Sequence, residues 1–219
     1  MESIYTEPIQ ILDTSIALKK YAEIDFSIKN PALNKIKVSN HNECQNYIDD
    51  VLKDKNAQVV YGGYLERRNL YAGNTNFSSS EAGDRNIHLG IDFWSPAGTR
   101  VIAPIDGKVH SFRNNAKVGD YGPAIILEHN LNGFEFHTLY GHLSLESLKD
   151  IYVGRTFRKG DKLAALGNFD INGGYAPHLH FQIILDMQGK KGDYPGVCSA
   201  QNLEFYSKNC PDPNLLLHI

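Results

Sequence analysis

Two histidines separated by a single residue, His178 and His180, open the segment HLHFQIIL. Side chains along a β-strand alternate between its two faces, so both imidazoles are expected on one face, with Leu179 and Phe181 on the opposite, apolar face. A face with two neighbouring imidazoles can bind a metal ion. A chance surface pair or a structural pair of histidines has the same spacing, so this motif alone leaves both interpretations open.

A second motif, HLGID, combines an imidazole with a carboxylate, those of His88 and Asp92. Gly90 within the motif and the Trp-Ser-Pro sequence at residues 94–96 disfavour a helix. The even spacing of the two side chains therefore predicts that both lie on the same face of one strand. An ordinary histidine–aspartate hydrogen bond on a sheet surface would produce the same pattern.

A third motif, FEFHTLYGHLS, carries His142 near its end. If the strand alternation continues to the end of this segment, His142 shares its face with Tyr140 and Thr138, and His137 lies on the other face. The alternative is a strand-end histidine that makes only a structural hydrogen bond.

Together, the three motifs offer two imidazoles and one carboxylate as metal ligands and leave two histidines over. This mixture suits a catalytic zinc ion whose fourth position stays open to water. Zinc lowers the pKa of bound water to about 7, and a neighbouring histidine, whose ordinary pKa is about 6.5, can transfer the remaining proton. The chain has no His-Glu-x-x-His sequence, so histidine rather than glutamate is expected to accept the proton.

In their order along the chain, HLGID, YGHLS and HLHF resemble the motifs of the lysostaphin-type zinc metallopeptidases. The resemblance covers about residues 84–186 and includes SPAGTRVIAPIDGKV and GDKLAALGN between the motifs. It implies a Zn2+ cofactor with His88, Asp92 and His180 as ligands. It also assigns His142 and His178 to catalysis, where they polarise the water and stabilise the oxyanion. Since the family cleaves peptide bonds in bacterial cell-wall cross-links, the resemblance implies a peptide or peptidoglycan-like substrate.

The remainder of the sequence predicts a mainly β fold. Short apolar or alternating segments such as AIILEH and KLAALG are separated by turn pairs, among them Asp-Gly at 106–107 and Asn-Gly at 132–133. Their close spacing favours antiparallel sheets, and the resemblance implies that these form a sandwich with a zinc-containing groove. The metallopeptidase-like β domain is predicted over residues 61–219.

Residues 1–60 are predicted to form an N-terminal extension, a small α/β segment with one helix at about residues 42–54. The helix is indicated by the spacing of Cys44, Ile48 and Leu52, with Asn42 as its cap. Residues 1–38 have no sustained period and are expected to form short strands and loops. The polar stretch at residues 74–84 is predicted to be a loop.

Composition and charge argue against some classes of function. A chain of 219 residues with 42% hydrophobic residues can bury one principal core. The net charge of −3 and the scattered basic residues argue against a nucleic-acid partner. No apolar run approaches the roughly 20 residues that span a bilayer, and the first residues do not resemble an export signal. A cytoplasmic location is therefore expected, with the cell envelope reached only by another route. The three cysteines are predicted to be buried thiols.

Two alternatives to a zinc hydrolase remain open from the sequence. One is a non-catalytic or degenerate peptidase-like module that binds or carries a ligand inside the cell. The other is a structural zinc site, for which a fourth protein ligand is expected. A further hypothesis is that the N-terminal 60 residues cover the groove in a latent state. The sequence does not indicate the oligomeric state.

Overall fold

The computed structural model of the chain describes residues 7–69 and 84–219. Within these ranges the fold is mainly β, as predicted, and its largest element is an eight-stranded sheet with the order β1-β2-β4-β11-β8-β7-β6-β9. Two small sheets, β5–β10 and β3–β12, accompany it. The predicted loop at residues 74–84 lies outside the described residues except for Asp84.

The strands are β1 (Tyr21–Glu23), β2 (Val59–Gly62), β3 (Ile87–His88), β4 (Ile91–Trp94), β5 (Arg100–Ile102), β6 (Gly107–Asn115), β7 (Gly122–Leu131), β8 (Phe134–Gly141), β9 (Thr156–Phe157), β10 (Lys162–Ala165), β11 (His178–Ile184) and β12 (Val197–Cys198). The α-helices of the described ranges are α1 (His41–Asp54), α2 (Leu203–Asn209) and α3 (Asn214–Leu217). Short 3-10 turns occur at Leu18–Lys20, Pro31–Lys35, Leu145–Leu148 and Ala200–Asn202.

The strand pairing is antiparallel with one exception among the described strands, since β1 runs parallel to β2. The large sheet is therefore mixed. Strand β11 lies between β4 and β8, and its register places His180 opposite both Asp92 and Gly141. Every residue of β11 is buried, because both faces of this central strand are covered.

One face of the large sheet carries the main apolar core. Phe93, Tyr140 and Phe181 point into it from neighbouring strands. Val101 and Leu163 of the β5–β10 sheet cover these side chains, so the two sheets form layers around a shared core. Residues near both chain ends join the same core, and the amide of Ile9 donates a hydrogen bond to the Leu217 carbonyl at 2.7 Å.

The opposite face carries two further apolar clusters. At the β1–β2 edge, Cys44 and Ile48 of α1 pack with Phe26 and Trp94. The second cluster lies on the same face, over the middle of the sheet, where side chains of β3, β12 and α2 pack. It includes Cys198 and Cys210. All three cysteines are buried free thiols, as the sequence predicted.

Helix α1 confirms the predicted helix, but its predicted cap is wrong. The helix begins at His41, and the Asn40 side chain accepts hydrogen bonds from the amides of Asn42 and Glu43 at 3.0 and 3.3 Å. Asn42 instead lies in the first turn, since a capping side chain must precede the first helical residue to reach those amides.

The N-terminal residues do not form a separate layer, because β1 and β2 extend the large sheet. A boundary at residue 60 stays a prediction. Helices α2 and α3 were not predicted, because segments of 7 and 4 residues are too short to show a helical period. None of the helices in the described ranges is long and apolar enough to cross a membrane.

Candidate metal centre

The predicted metal ligands come from three strands. Asp92 on β4 and His180 on β11 are direct cross-strand partners, so their side chains leave the large sheet on the same face. His88 lies on β3, which pairs with β12 in a different sheet. The prediction that His88 and Asp92 share one strand is therefore wrong.

Gly90 explains how the chain brings His88 back to the other two ligands. The strand breaks between His88 and Ile91, and the backbone at Gly90 passes close to β11. A Cβ atom at Gly90 would lie 2.5 Å from the Phe181 carbonyl oxygen and 2.8 Å from Cε1 of His180. Only glycine permits this close approach. Gly90, which disfavours a helix in the sequence, therefore also allows His88 to reach the other two ligands.

The three ligand atoms converge on one point. His88 Nε2 lies 2.9 Å from His180 Nδ1. Asp92 Oδ1 lies 3.1 Å from His180 Nδ1 and 3.3 Å from His88 Nε2. Each side chain is at most 4% exposed. Two nitrogens and one carboxylate oxygen at these distances match the donor set of a catalytic zinc site with three protein ligands.

The second nitrogen of each ligand ring has a hydrogen-bond acceptor. His88 Nδ1 lies 2.9 Å from the carbonyl oxygen of Gly63, and His180 Nε2 lies 2.9 Å from Oε1 of Gln182. Neutral imidazole has one N–H, and an oxygen acceptor places it on the outer nitrogen. The lone pairs of His88 Nε2 and His180 Nδ1 are thereby directed to the convergence point.

His142 reaches the site by a route that strand alternation did not predict. Tyr140 pairs with Phe181 and points into the main core, so continued alternation would direct His142 to that core too. Strand β8 instead ends at Gly141, and His142 adopts a left-handed backbone with φ of 63°. This turn places the His142 ring 4.1 Å from that of His178, centroid to centroid.

His142 and His178 are oriented in the same way. The Nδ1 atom of His142 lies 2.7 Å from the Asn172 carbonyl oxygen, and that of His178 lies 2.7 Å from the Ala176 carbonyl oxygen. Both rings thus donate through Nδ1 and keep Nε2 available. His178 Nε2 lies 4.0 Å from Asp92 Oδ1, which is beyond hydrogen-bond distance but beside the ligand cluster.

Arg68 lies at this site, and no sequence motif indicated it. Its Nη1 donates to Asp92 Oδ2 at 2.5 Å and its Nε donates to Glu66 Oε2 at 2.6 Å. The guanidinium side chain is fully buried, with 0% exposure. The segment around it, GGYLERR, has no hydrophobic period and no motif. Arg68 and Asp92 are 24 residues apart in the sequence, so no local pattern indicates that they form an ion pair.

The buried charges determine the protonation states of the ligands. Burial, followed by the positive charge of Arg68, lowers the pKa of His88 to about 4. Burial alone would raise the pKa of Asp92, but the charges of His88 and Arg68 outweigh it and hold this pKa well below its usual value. At neutral pH the site therefore presents a neutral imidazole beside a carboxylate, as metal binding requires.

Burial also lowers the pKa of both remaining histidines. For His142 the effect is large, because the neighbouring His178 adds to burial. For His178 burial is again the largest cause, although the Asp92 charge opposes it. Both imidazoles are neutral at neutral pH and can accept a proton.

A cavity of about 420 Å³ opens beside the five groups. Its lining is charged and polar, and its ionisable side chains other than the site histidines and Asp92 are those of Arg85, Lys117, Asp120, Tyr121, Tyr175, Lys190, Asp193 and Tyr194. Burial and the neighbouring Asp120 raise the pKa of Asp193. No described residue before Arg85 lines this cavity, so the described part of the N-terminal segment does not cover it.

Each of the five predicted site residues is buried and lies at this centre, whereas their roles stay a prediction. His137 lies on the face of β8 opposite Tyr140, as expected, but the register with β11 makes this the same sheet face that carries His180. His137 does not line the cavity, and its ring contacts that of His110 at a centroid distance of 4.8 Å. Within the described ranges, the cluster of potential ligands comprises His88, Asp92 and His180 and no fourth group.

The five site residues lie within a segment that is similar to known proteins. Residues 86–193 match the profile of Peptidase family M23. A Haemophilus influenzae protein named an uncharacterized metalloprotease is 35% identical over 125 residues, which are 54% of this chain and 24% of that protein. The peptidoglycan DD-endopeptidase ShyB of Vibrio cholerae is 32% identical over 127 residues, which are 55% of this chain and 27% of that protein.

Among solved structures, the chain is similar to the catalytic domain of the antimicrobial peptidase lysostaphin from Staphylococcus simulans. The identity is 25% over 56% of this chain and 80% of that domain, with a TM-score of 0.38. The matched segment spans only about a quarter of the length of the two curated relatives.

Proposed function

This chain contains a domain of peptidase family M23, and from that premise we propose that it hydrolyses peptide bonds with a zinc ion held by His88, Asp92 and His180. His142 and His178 act beside the metal in proton transfer and oxyanion stabilisation. The family membership confirms the resemblance seen in the three sequence motifs. The metal identity and the residue roles are the content of the proposal.

One observation carries the proposal: three ligand atoms converge while the outer nitrogen of each ligand histidine is held by an oxygen acceptor. Such outer hydrogen bonds are the usual support of metal-binding imidazoles. A structural zinc site would instead need a fourth protein ligand, and the described residues offer three. The arrangement therefore supports a site that keeps one position open for water or substrate.

When bound, zinc would supply a Lewis acid that makes water a nucleophile near neutral pH and polarises the scissile carbonyl. The protein's own groups would do the rest. His178, beside Asp92 and fixed through its Nδ1, has Nε2 available to accept the proton of the attacking water. His142, whose Nδ1 donates to the Asn172 carbonyl, presents a lone pair at Nε2, so this nitrogen would first take up a proton released by the attacking water and could then donate it to the developing oxyanion or the leaving amine.

The proposed substrate is a peptide of the peptidoglycan type. Support comes from the relatives named peptidoglycan DD-endopeptidases, although each is much longer than the matched segment. The cavity beside the centre adds a physical argument. It carries both cations, such as Lys117 and Lys190, and carboxylates, such as Asp120 and Asp193, which suits a peptide with charges of both signs.

The test is the zinc content of the purified protein, measured by plasma mass spectrometry, together with hydrolysis of isolated peptidoglycan. We expect about one zinc per chain, lost in His180→Ala and kept in the control His137→Ala, whose ring lies outside the site. Chelator should abolish hydrolysis and added zinc should restore it. Absence of bound metal even after zinc addition would contradict the proposal and favour a non-catalytic binding module.

A further inference from the structure

His178 also lines a second, smaller cavity, whose volume is about 90 Å³. It shares the lining residues Gly119, Tyr175 and His178 with the main cavity, so the two cavities are neighbours and both border the proposed catalytic histidine. Its floor includes Trp94 and Ala176. A peptide bound at His178 could therefore contact both cavities.

The outer wall of this cavity comes from the N-terminal segment, which lies outside the matched residues 86–193. The wall consists of Phe26, Val38, Ser39, His41 and Cys44. It is therefore a feature of this chain, and the matched domain does not supply it.

The wall is held firmly against the site. The Phe26 ring stacks on Trp94 with a centroid distance of 4.8 Å, and Trp94 stacks on His178 at 5.6 Å. The Phe26 amide donates to Glu66 Oε1 at 2.9 Å, and Glu66 in turn accepts from Arg68. The Phe26 side of the cavity is thus already in contact with the site without a ligand, and a preformed wall lowers the entropic cost of binding.

The lining of the second cavity differs in chemistry from that of the main cavity. No described lining residue is an aspartate, glutamate, lysine or arginine, whereas the main cavity has five such side chains besides Asp92. Burial raises the pKa of Cys44 to about 12, so its thiol is neutral. A charged group in this cavity would lose hydration and would meet no aspartate, glutamate, lysine or arginine among the described lining residues.

The size of the cavity limits its occupant. A cavity of roughly 150 Å³ in another protein holds a benzene molecule, so about 90 Å³ suits a group of a few carbon atoms. We propose that the second cavity is a substrate subsite that takes a small, uncharged aliphatic side chain next to the scissile bond. This inference rests on the proposed function. It adds the kind of substrate side chain that would bind beside the scissile bond and the segment of the chain that would select it.

The first test measures binding without catalysis, because Trp94 is the only tryptophan of the chain and lines the cavity. The zinc-loaded protein is titrated with N-acetyl amides of alanine, valine, aspartate and lysine, in both enantiomers, while Trp94 emission is recorded. We expect a saturable change with alanine or valine that is at least tenfold weaker with the charged probes. Equal responses to charged and uncharged probes would overturn the proposal.

Val38→Phe fills the cavity, and Val153→Phe is its matched control because Val153 is 67% exposed and lines neither cavity. The first variant should lose the fluorescence response and the second should keep it. Ser39→Phe, at an exposed position on the same wall, serves if Val38→Phe does not fold. A response that persists in a folded cavity-filling variant would overturn the proposal.

The second test uses peptides that carry glycine, alanine, valine, aspartate or lysine at each position flanking the scissile bond. At one flanking position, alanine or valine should exceed aspartate and lysine at least tenfold in kcat/KM. Val38→Phe should remove this preference by lowering kcat/KM for the alanine and valine peptides, whereas the control Val153→Phe should leave kcat/KM unchanged for every peptide. If no peptide is cut but the Trp94 response follows the expected order, the proposed function fails and the subsite stands. If peptides are cut without that preference, the subsite fails and the function stands.

Discussion

The guanidinium of Arg68 donates to Oδ2 of Asp92 at 2.5 Å, while Oδ1 of the same carboxylate faces His88 and His180 at 3.3 and 3.1 Å. One oxygen is thus held by a buried cation and the other is directed to the proposed metal. Glu66 holds the Arg68 side chain in turn and also accepts from the Phe26 amide. The N-terminal segment and the metal centre are therefore joined by one chain of hydrogen bonds.

Arg68→Met is expected to weaken zinc binding about 10- to 100-fold, the usual effect of losing a group that orients a metal ligand. It should also destabilise the protein by roughly 3–5 kcal/mol, because buried carboxylates lose their cation. Chelator competition measures the first effect and urea unfolding the second. The neighbouring Arg67 is exposed, so Arg67→Met is the matched control. Unchanged zinc affinity in Arg68→Met would show that Arg68 serves stability alone.

Gln182→Met is expected to lower zinc affinity by about tenfold or more, since His180 Nε2 loses the oxygen acceptor at 2.9 Å that keeps its Nδ1 lone pair directed inward. Methionine has a similar volume, which limits the change in packing. Gln182→Glu separates the two effects: a carboxylate still accepts the N–H, so this variant should retain zinc. The prediction is refuted if both variants bind zinc as the wild type does.

The sequence predicted which faces of single strands carry the candidate residues better than it predicted how the strands come together. Alternation correctly placed His178 and His180 on one face, because strand geometry is local. Strand register and sheet partners are not local, so the separation of His88 and Asp92 into two sheets could not be seen. The motifs nevertheless named five residues that lie together at one centre, and the roles of these residues stay a prediction.

The placement of His142 and of Arg68 at the site could not be predicted from local sequence, for two different reasons. The positive φ of His142 reverses the face that alternation assigns, and a non-glycine residue gives no local sign of that conformation. Arg68 lies in a stretch without period or motif, and only tertiary contact with Asp92 reveals its role. By contrast, helix α1 was predicted within one residue at its start, because its apolar spacing is a local signal.

His129 is expected to make stability depend on pH. It is buried, with Nδ1 at 2.8 Å from the Asp106 carbonyl oxygen and Nε2 at 2.6 Å from Thr138 Oγ1. Burial lowers its pKa to about 4, whereas the unfolded chain has a pKa near 6.5. Between these values the unfolded state binds a proton that the folded state does not, so stability falls as the pH drops from about 6.5 toward 4.

The contribution of His129 is at most about 3 kcal/mol, since one pKa unit corresponds to 1.36 kcal/mol. Urea unfolding of wild type and His129→Gln at a series of pH values measures it. The variant should lose less stability than the wild type over this range, and the difference should be constant above about pH 7. If the free energy of unfolding changes with pH in parallel for the two proteins, His129 does not contribute to the pH dependence of stability.

His142→Ala and His178→Ala are expected to keep about one zinc per chain and to lose about 10²- to 10⁴-fold in kcat, the usual range for removing a general acid or base. Both rings are fixed through Nδ1 by carbonyl oxygens at 2.7 Å, and neither is part of the three-ligand cluster. KM should change little, because the lost interactions act on the transition state. His137→Ala, outside the site, should retain full kcat and zinc. Loss of zinc in His142→Ala to the extent seen in His180→Ala would make His142 a ligand instead, and an unchanged kcat in both variants would exclude the proposed proton transfer.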